Sequence, residues 1–180
     1  MVDISLKPLV TITGISGFLG SHVCLSFLQS AEYRVRGTVR DKNNEAKIAP
    51  LRKAFGEHFS SIEMVEADLL DSDSIQRAIE GSAYVVHTAS PFFFAKTEEE
   101  VVKPAVEGTL AVMRACAASG VKRCVITSSM ASVLYLAKED MPDLETGCFD
   151  ESCWSNPDRP EGMLPYPKSK LLAERAAWDF

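Results

Sequence analysis

The stretch LVTITGISGFLG, residues 9–20, decides the fold of this chain. Its first five residues are apolar or β-branched and predict a buried strand. Three glycines follow: Gly14 permits a tight turn, Gly17 lets a diphosphate approach the backbone, and Gly20 lets a helix pack closely on the strand. The amino end of that helix would offer amide donors to phosphate. The stretch therefore predicts a dinucleotide-binding turn, with cofactor contacts from Gly14, Ser16, Gly17, Phe18, Leu19 and Gly20.

Strand-like and helix-like segments alternate along the rest of the chain. The predicted strands are Leu9 to Thr13, Tyr33 to Val39, Ser61 to Glu66, Ala83 to Thr88 and Val121 to Thr127. The predicted helices are Phe18 to Ser30, Asn43 to Phe55, Ser72 to Glu80, Glu98 to Ser119 and a last one from about Tyr166, with Asp71 capping the third and Gly120 closing the fourth. This order predicts an α/β fold, a Rossmann-type doubly wound parallel sheet in three αβα layers.

The end of the second predicted strand distinguishes between two dinucleotides. Sites for NAD usually carry an acidic residue roughly 20 residues beyond the glycines, and here the residues are Thr38-Val39-Arg40-Asp41. The Arg40 guanidinium can bind a ribose 2'-phosphate through paired charge-assisted hydrogen bonds, with Lys47 as a second cation. NADP(H) is therefore the predicted cofactor. The alternative is that Arg40 is a solvated surface charge and that Asp41 binds the ribose.

The ends of the third and fourth strands supply further predicted cofactor contacts. Asp68, with its neighbour Leu69, follows the third strand, where its carboxylate could accept a hydrogen bond from the adenine amino group. The small side chains of Thr88, Ala89 and Ser90 end the fourth strand and would admit the central part of the cofactor. Tight packing at a strand end is the equal alternative for these residues.

Tyr166 and Lys170 lie four residues apart at the start of the last predicted helix and so share one face. A free tyrosine titrates at about 10, and a neighbouring ammonium together with the charge of the nicotinamide favours its phenolate. We predict that Tyr166 is the general acid in carbonyl reduction or the base in alcohol oxidation, and that Tyr166 and Lys170 both contact the cofactor, Lys170 through the nicotinamide ribose. Ser129, after the fifth strand, is predicted to polarise the substrate oxygen, and Ser128 to contact the cofactor.

Several longer runs of sequence resemble one enzyme family. They are VRGTVRD at 35–41, VKPAVEGTL at 102–110, VITSS at 125–129 and DESCWS at 150–155. With the glycine turn, they resemble the extended short-chain dehydrogenase/reductases, also called the NAD-dependent epimerase/dehydratase superfamily, in the dihydroflavonol 4-reductase and cinnamoyl-CoA reductase-like branch. The resemblance implies that Ser129, Tyr166 and Lys170 form the catalytic Ser-Tyr-Lys triad and that Arg40 and Lys47 contact the NADP 2'-phosphate.

The chain departs from the patterns of that branch in its substrate-recognising residues and in its length. Leu134 stands where plant dihydroflavonol reductases commonly carry asparagine, and Pro165-Tyr166-Pro167-Lys168 does not match the Trp-Tyr-Cys motif of cinnamoyl-CoA reductases. The resemblance therefore implies NADPH-dependent reduction of an aldehyde or ketone, without naming one. Family members continue on the order of a hundred residues past the Tyr-Lys helix. The C-terminal substrate-binding region is accordingly expected to be largely absent, leaving the cofactor-binding half.

Composition bounds the partners of the protein. The 19 basic and 25 acidic residues give a formal charge of -6, which opposes binding to nucleic acid. No apolar run is long enough to span a bilayer, and the five dispersed cysteines fit a reducing compartment. The scattered histidines and cysteines predict no metal site. The sequence thus predicts a cytoplasmic, soluble protein with a small-molecule carbonyl substrate, and the resemblance adds a homodimer.

All 180 residues are expected to form a single NADP-binding Rossmann domain that carries the triad. Two other functions stay open. The first is a non-catalytic NADP-binding or interaction module, which the missing substrate region favours and the intact Ser-Tyr-Lys set opposes. The second is an NAD-dependent nucleotide-sugar epimerase, which Arg40 disfavours.

Overall fold

The protein is an alternating α/β chain, seen in a computed structural model that describes residues 6–91, 97–136, 148–158 and 162–180. Its strands are β1 Leu9–Thr13, β2 Arg34–Val39, β3 Ile62–Glu66, β4 Tyr84–His87 and β5 Arg123–Ile126. Its helices are α1 Phe18–Ser30, α2 Glu45–Phe55, α3 Ser72–Ile79, α4 Glu99–Ala118, α5 Ala131–Leu134 and α6 Pro165–Trp178, with a 3-10 helix at Gly56–Ser61. Within these four ranges, no helix combines the length and apolarity needed to cross a membrane.

The five strands form one sheet in the order β3-β2-β1-β4-β5. Each neighbouring pair is parallel. The chain adds strands outward from β1 in one direction as far as β3, and then returns to the other side of β1 with β4. This change of direction lies between β1 and β4, and parallel α/β sheets bind their ligands at the carboxyl ends of such strands. The predicted Rossmann-type doubly wound sheet is confirmed.

Two apolar clusters cover opposite faces of the sheet. Val10 and Ile12 of β1 join residues of α1 and α2 in the first cluster. Val85 of β4 joins residues of α3 and α4 in the second. Val85 is paired with Thr11, whose side chain points away from the face of Val10 and Ile12 because side chains alternate along a strand. All five residues of β1 are buried, which explains why the run LVTIT contains only apolar and β-branched residues.

The predicted element boundaries agree with the structure to within two residues. Asp71 caps α3 as predicted, since its carboxylate accepts hydrogen bonds from the amides of Asp73 and Ser74. Gly120 follows α4 with a φ of 65°, the left-handed conformation expected of a residue that closes a helix. The 3-10 helix and α5 were outside the predictions, because short helices carry too few residues to show a period.

Contacts divide the chain into two compact units. The sheet unit consists of Met1–Ser90 and Ala111–Thr127, and the helical unit of Pro91–Leu110 and Ser128–Phe180. The long helix α4 contributes residues to both. That residues 1–180 act as one cofactor-binding domain stays a prediction, and each unit is described separately below.

Candidate active site

In the sheet unit, the turn after β1 is built around Gly14. Its φ is 72°, a left-handed conformation that favours glycine. The Gly14 amide donates to the Thr38 hydroxyl at 3.0 Å, and the Gly17 amide donates to the Gly14 carbonyl at 3.0 Å. The backbone therefore reverses within three residues and begins α1 directly after Gly17.

Gly20 packs so closely against this turn that a side chain has no room. A Cβ atom at this position would lie 2.4 Å from the Gly14 carbonyl oxygen and 2.7 Å from the Thr88 hydroxyl. A Cβ on Gly14 would likewise lie 3.0 Å from Ala89. The roles predicted for these two glycines, a tight turn and close helix–strand packing, match the contacts in the structure.

The amino end of α1 is open. In the described part of the chain no side chain caps it, and its first turn carries no acidic residue. Phe18 is 84% exposed and Leu19 is 45% exposed, while Ser16 is half-buried. Because the first amides of a helix lack partners inside the helix and carry its positive dipole end, this end suits an anion. Its residues therefore fit the diphosphate of a dinucleotide.

Hydrogen bonds to Thr13 connect the end of β1 with the end of β4. The Thr13 hydroxyl contacts the His87 Nδ1 at 2.8 Å, and it accepts from the amides of Thr88 and Ala89 at 3.1 Å each. The Thr88 hydroxyl donates to the Thr13 carbonyl at 2.6 Å. These bonds fix the backbone beside the glycine turn, whereas Ser90 is exposed. Thr13 is not among the predicted site residues. Its position at the carboxyl end of the central strand β1 is the signal by which the sequence could have indicated it.

Arg40 follows β2, and its side chain and that of Lys47 on α2 are exposed. Neither forms an ion pair with any residue that the structure describes. Asp41 is already engaged, because its Oδ1 accepts a hydrogen bond from the Asn43 amide at 2.8 Å. This bond gives Asp41 a turn-forming role, which weakens the alternative in which Asp41 binds the ribose.

Asp68 also forms a turn, after β3. Its Oδ1 accepts from the Leu70 amide at 2.9 Å, and its own amide donates to the Ser74 hydroxyl at 3.0 Å. The Asp68 side chain is exposed, and Leu69 packs against the second apolar cluster. A contact of either residue with adenine stays a prediction.

In the helical unit, the residues of the predicted triad lie on α6 and just before α5, and these two helices pack against each other. Ser129 lies two positions before the first residue of α5, and its hydroxyl accepts from the Ala131 amide at 3.2 Å. Tyr166 lies in the first turn of α6, and Lys170 follows one turn later. Lys170 is only 8% exposed, and a lysine buried to this degree ordinarily has a partner for its charge.

Glu174, one further turn along α6, is absent from the predicted site. The Ser128 hydroxyl donates a hydrogen bond to its carboxylate and lies 3.3 Å from the Ser132 hydroxyl. Burial lowers the pKa of Lys170 below its ordinary value of 10.5, and the negative charge of Glu174 opposes that shift. Ser128, predicted to contact the cofactor, thus has partners inside the protein, and its cofactor contact stays a prediction. The i, i+4 spacing from Lys170 is the signal that marks Glu174 in the sequence.

The run DESCWS supports α5. The Ser155 side chain is fully buried. Its hydroxyl donates to the Ala131 carbonyl at 2.8 Å and accepts from the Tyr135 amide at 2.8 Å. Arg175 of α6 lies 5.3 Å from the ring centre of Trp154. A cavity of about 420 Å³ borders this run, and no residue of the predicted triad lines it.

Comparisons with known proteins agree with the resemblance read from the sequence. The chain is 41% identical over 178 residues to tetraketide alpha-pyrone reductase 1 of Arabidopsis thaliana, covering 97% of this chain and 53% of that protein. It is 40% identical over 182 residues to dihydroflavonol 4-reductase of Hordeum vulgare, covering 97% of this chain and 49% of that protein. The chain therefore spans about half the length of the curated relatives that it matches.

A solved structure shares the fold. The yeast methylglyoxal/isovaleraldehyde reductase Gre2, crystallised as a complex with NADPH, superposes with a TM-score of 0.75 at 32% identity, over 96% of this chain and 52% of that one. The model of the NAD dependent epimerase/dehydratase family matches residues 10–180. This chain therefore belongs to the NAD dependent epimerase/dehydratase family, and its relatives are of the dihydroflavonol-reductase-like kind.

Proposed function

We propose that this chain binds NADPH and carries the catalytic residues of a carbonyl reductase that converts an aldehyde or ketone into an alcohol. The names of the relatives support the class of reaction, since they are reductases. The yeast neighbour supports the cofactor, because it was crystallised with NADPH. The substrate is a small molecule with a carbonyl group, as the name of the yeast aldehyde reductase also suggests.

One observation carries the proposal: Lys170 is buried one helical turn from Tyr166. Burying an ammonium costs free energy unless a partner or a function compensates. A positive charge stabilises a phenolate that forms beside it. This arrangement is the one that proton transfer by a tyrosine at neutral pH requires.

NADPH, when bound, supplies the hydride that adds to the carbonyl carbon of the substrate. The protein supplies the proton and the fixed charges. The Tyr166 hydroxyl gives its proton to the carbonyl oxygen, and the electron pair of the O–H bond stays on the phenolate. The Lys170 ammonium stabilises that phenolate, and the Ser129 hydroxyl donates a hydrogen bond to the same substrate oxygen.

Arg40 and Lys47 account for the choice of NADPH over NADH. Both are cations on the exposed surface after β2, and both are unpaired within the described ranges. A guanidinium binds phosphate through two parallel hydrogen bonds, which gives it geometric specificity for that group. The 2'-phosphate is the group by which the two dinucleotides differ, so it is the partner that we assign to Arg40.

The replacement Tyr166→Phe tests the assignment of the proton donor. Removing a general acid lowers a rate by about 100-fold to 10,000-fold. We therefore expect this loss in kcat for NADPH oxidation with a panel of aldehydes and ketones, while the Kd for NADPH changes less than about twofold. Tyr84→Phe makes the same chemical change in the sheet unit, where the ring packs against Tyr33, and should leave kcat unchanged.

Three outcomes are distinct. Turnover that Tyr166→Phe does not reduce contradicts the role of Tyr166. NADPH binding without turnover of any carbonyl compound favours the non-catalytic binding module. If a folded sample binds neither NADPH nor NADH, the function proposed for this chain is wrong.

A further inference from the structure

The Glu174 carboxylate lies between two groups that belong to different segments of the helical unit. It accepts the hydrogen bond of the Ser128 hydroxyl, next to Ser129. It also follows Lys170 by one turn of α6, a spacing that brings side chains into contact range on a helix. Glu174 is itself half-buried, so water screens its charge less than it screens a charge on the surface.

Within the part of the chain that the structure describes, two titratable side chains flank Lys170 along α6. On α6 itself, Tyr166 lies one turn before it and Glu174 one turn after it. The segment that packs against α6 from α5, residues 128–134, contains only serine, methionine, alanine, valine and leucine. Lys168 points to another acid, since its Nζ lies 2.9 Å from Glu98, and Arg175 lies over Trp154. Of α6 and residues 128–134, both described, Glu174 is the acidic residue, and its charge acts against the effect of burial on Lys170.

We propose that Glu174 is a positioning residue of the Ser-Tyr-Lys site: it is the counter-ion of the Lys170 ammonium, and the Ser128 hydroxyl holds it in place. This inference rests on the function proposed above, because it assigns Glu174 a role only where a charged Lys170 is needed. It goes further because it assigns one carboxylate two partners, the Ser128 hydroxyl and the Lys170 ammonium of α6.

The direction in which Glu174 acts on the pKa of Lys170 agrees with this role. Burial lowers it, and the charge of Glu174 acts in the opposite direction. A neutral lysine would withdraw the positive charge that stabilises the Tyr166 phenolate. The hydrogen bond from Ser128 adds a geometric constraint, because a carboxylate held by a hydroxyl cannot rotate freely into solvent.

The experiment measures the protonation of Lys170 directly, with 13C-labelled lysine and NMR at increasing pH. The signal of Lys170 is identified as the one that disappears in Lys170→Met. Glu174→Gln preserves the size of the side chain and an oxygen that can accept from Ser128, so it removes the charge alone. We expect the titration midpoint of Lys170 to shift to lower pH in this variant, while that of Lys168 stays in place.

A matched control reverses the pattern. Glu98→Gln removes the acid that pairs with Lys168 at 2.9 Å, so it should shift the midpoint of Lys168 and leave that of Lys170 unchanged. An unshifted Lys170 in folded Glu174→Gln would overturn the proposal. If that variant does not fold, Ser128→Ala takes its place: a smaller shift of Lys170 in the same direction supports the proposal, and no shift overturns it.

The readout needs neither nucleotide nor substrate. A failure of the counter-ion role therefore appears as an unshifted lysine signal, whereas a failure of the proposed function appears as absent NADPH binding or as turnover that survives Tyr166→Phe.

Discussion

The sheet unit and the helical unit differ in the kind of group that they offer to a ligand: main-chain groups in the first and side chains in the second. In the sheet unit, the turn at Gly14 and the open end of α1 present main-chain groups, and the close packing at Gly20 leaves no room for a side chain. In the helical unit, the relevant groups are side chains: burial lowers the pKa of Lys170, and the charge of Glu174 opposes that shift. The comparison shows that a main-chain site depends on positions without a side chain, whereas a side-chain site depends on the residues that pack around its ionisable groups.

The strongest test of the main-chain site places a side chain at Gly20, where the packing leaves no room for one. In Gly20→Val, the new Cβ would lie 2.4 Å from the Gly14 carbonyl oxygen, so α1 must move away from the turn. We expect a loss of at least about 100-fold in NADPH affinity, or about 2.7 kcal/mol. Overpacking should also lower the free energy of unfolding by about 1–3 kcal/mol. Isothermal titration and urea denaturation measure the two effects.

Gly81→Ala is the control for this change. Gly81 has a φ of 75°, and a Cβ there meets no atom within 4 Å. Its replacement should therefore cost only the left-handed backbone conformation, about 1–2 kcal/mol, without changing the affinity for NADPH. Equal losses of affinity in the two variants would show that close approach at Gly20 is not what the nucleotide requires.

Arg40→Ala sharpens the comparison, because it removes a side-chain contact proposed in the sheet unit and leaves the main-chain groups of the glycine turn in place. Hydrogen bonds to a charged group contribute about 1.5–3 kcal/mol, so we expect NADPH to bind about 10-fold to 100-fold more weakly and NADH to bind nearly as before. Lys42→Ala removes an equal charge from another exposed residue two positions away and should affect both nucleotides alike. If Arg40→Ala weakens the two nucleotides equally, the 2'-phosphate is not the partner of Arg40.

Much of the fold could be predicted from local patterns. The strand β1 and the start of α1 are specified by a run of apolar and β-branched residues and by the glycines that follow it, all within twelve residues of sequence. Asp71 and Gly120 marked helix ends correctly because capping is a local interaction. The short helix α5 could not be predicted, since it depends on Ser155, more than twenty residues away, for its hydrogen bonds.

In the candidate site, too, local features could be predicted from the sequence and features that depend on distant residues could not. The glycine turn could be predicted in its details, because backbone conformation and the absence of a side chain follow from residue type. The environments of Ser128 and Lys170 could not, because they depend on Glu174 and on packing between segments that are far apart in the chain. Thr13 likewise reaches its amide partners across 75 and 76 positions. Long-range partners determine what an ionisable or hydroxyl side chain does.

The smallest expected effect tests the side-chain site through stability. Burial lowers the pKa of Lys170 below 10.5 in the folded protein, while the unfolded chain keeps the ordinary value. Between the two values the unfolded state binds more protons than the folded state, so this residue makes the free energy of unfolding rise with pH. Lys170→Met removes the effect. The free energy of unfolding of the wild type minus that of Lys170→Met should increase as the pH rises from 7 toward 10, and urea denaturation at several pH values measures it. The contributions of the other titrating groups cancel in this difference. A flat profile would therefore show that Lys170 binds protons equally well in the folded and the unfolded protein, and that its burial in the helical unit does not affect its charge.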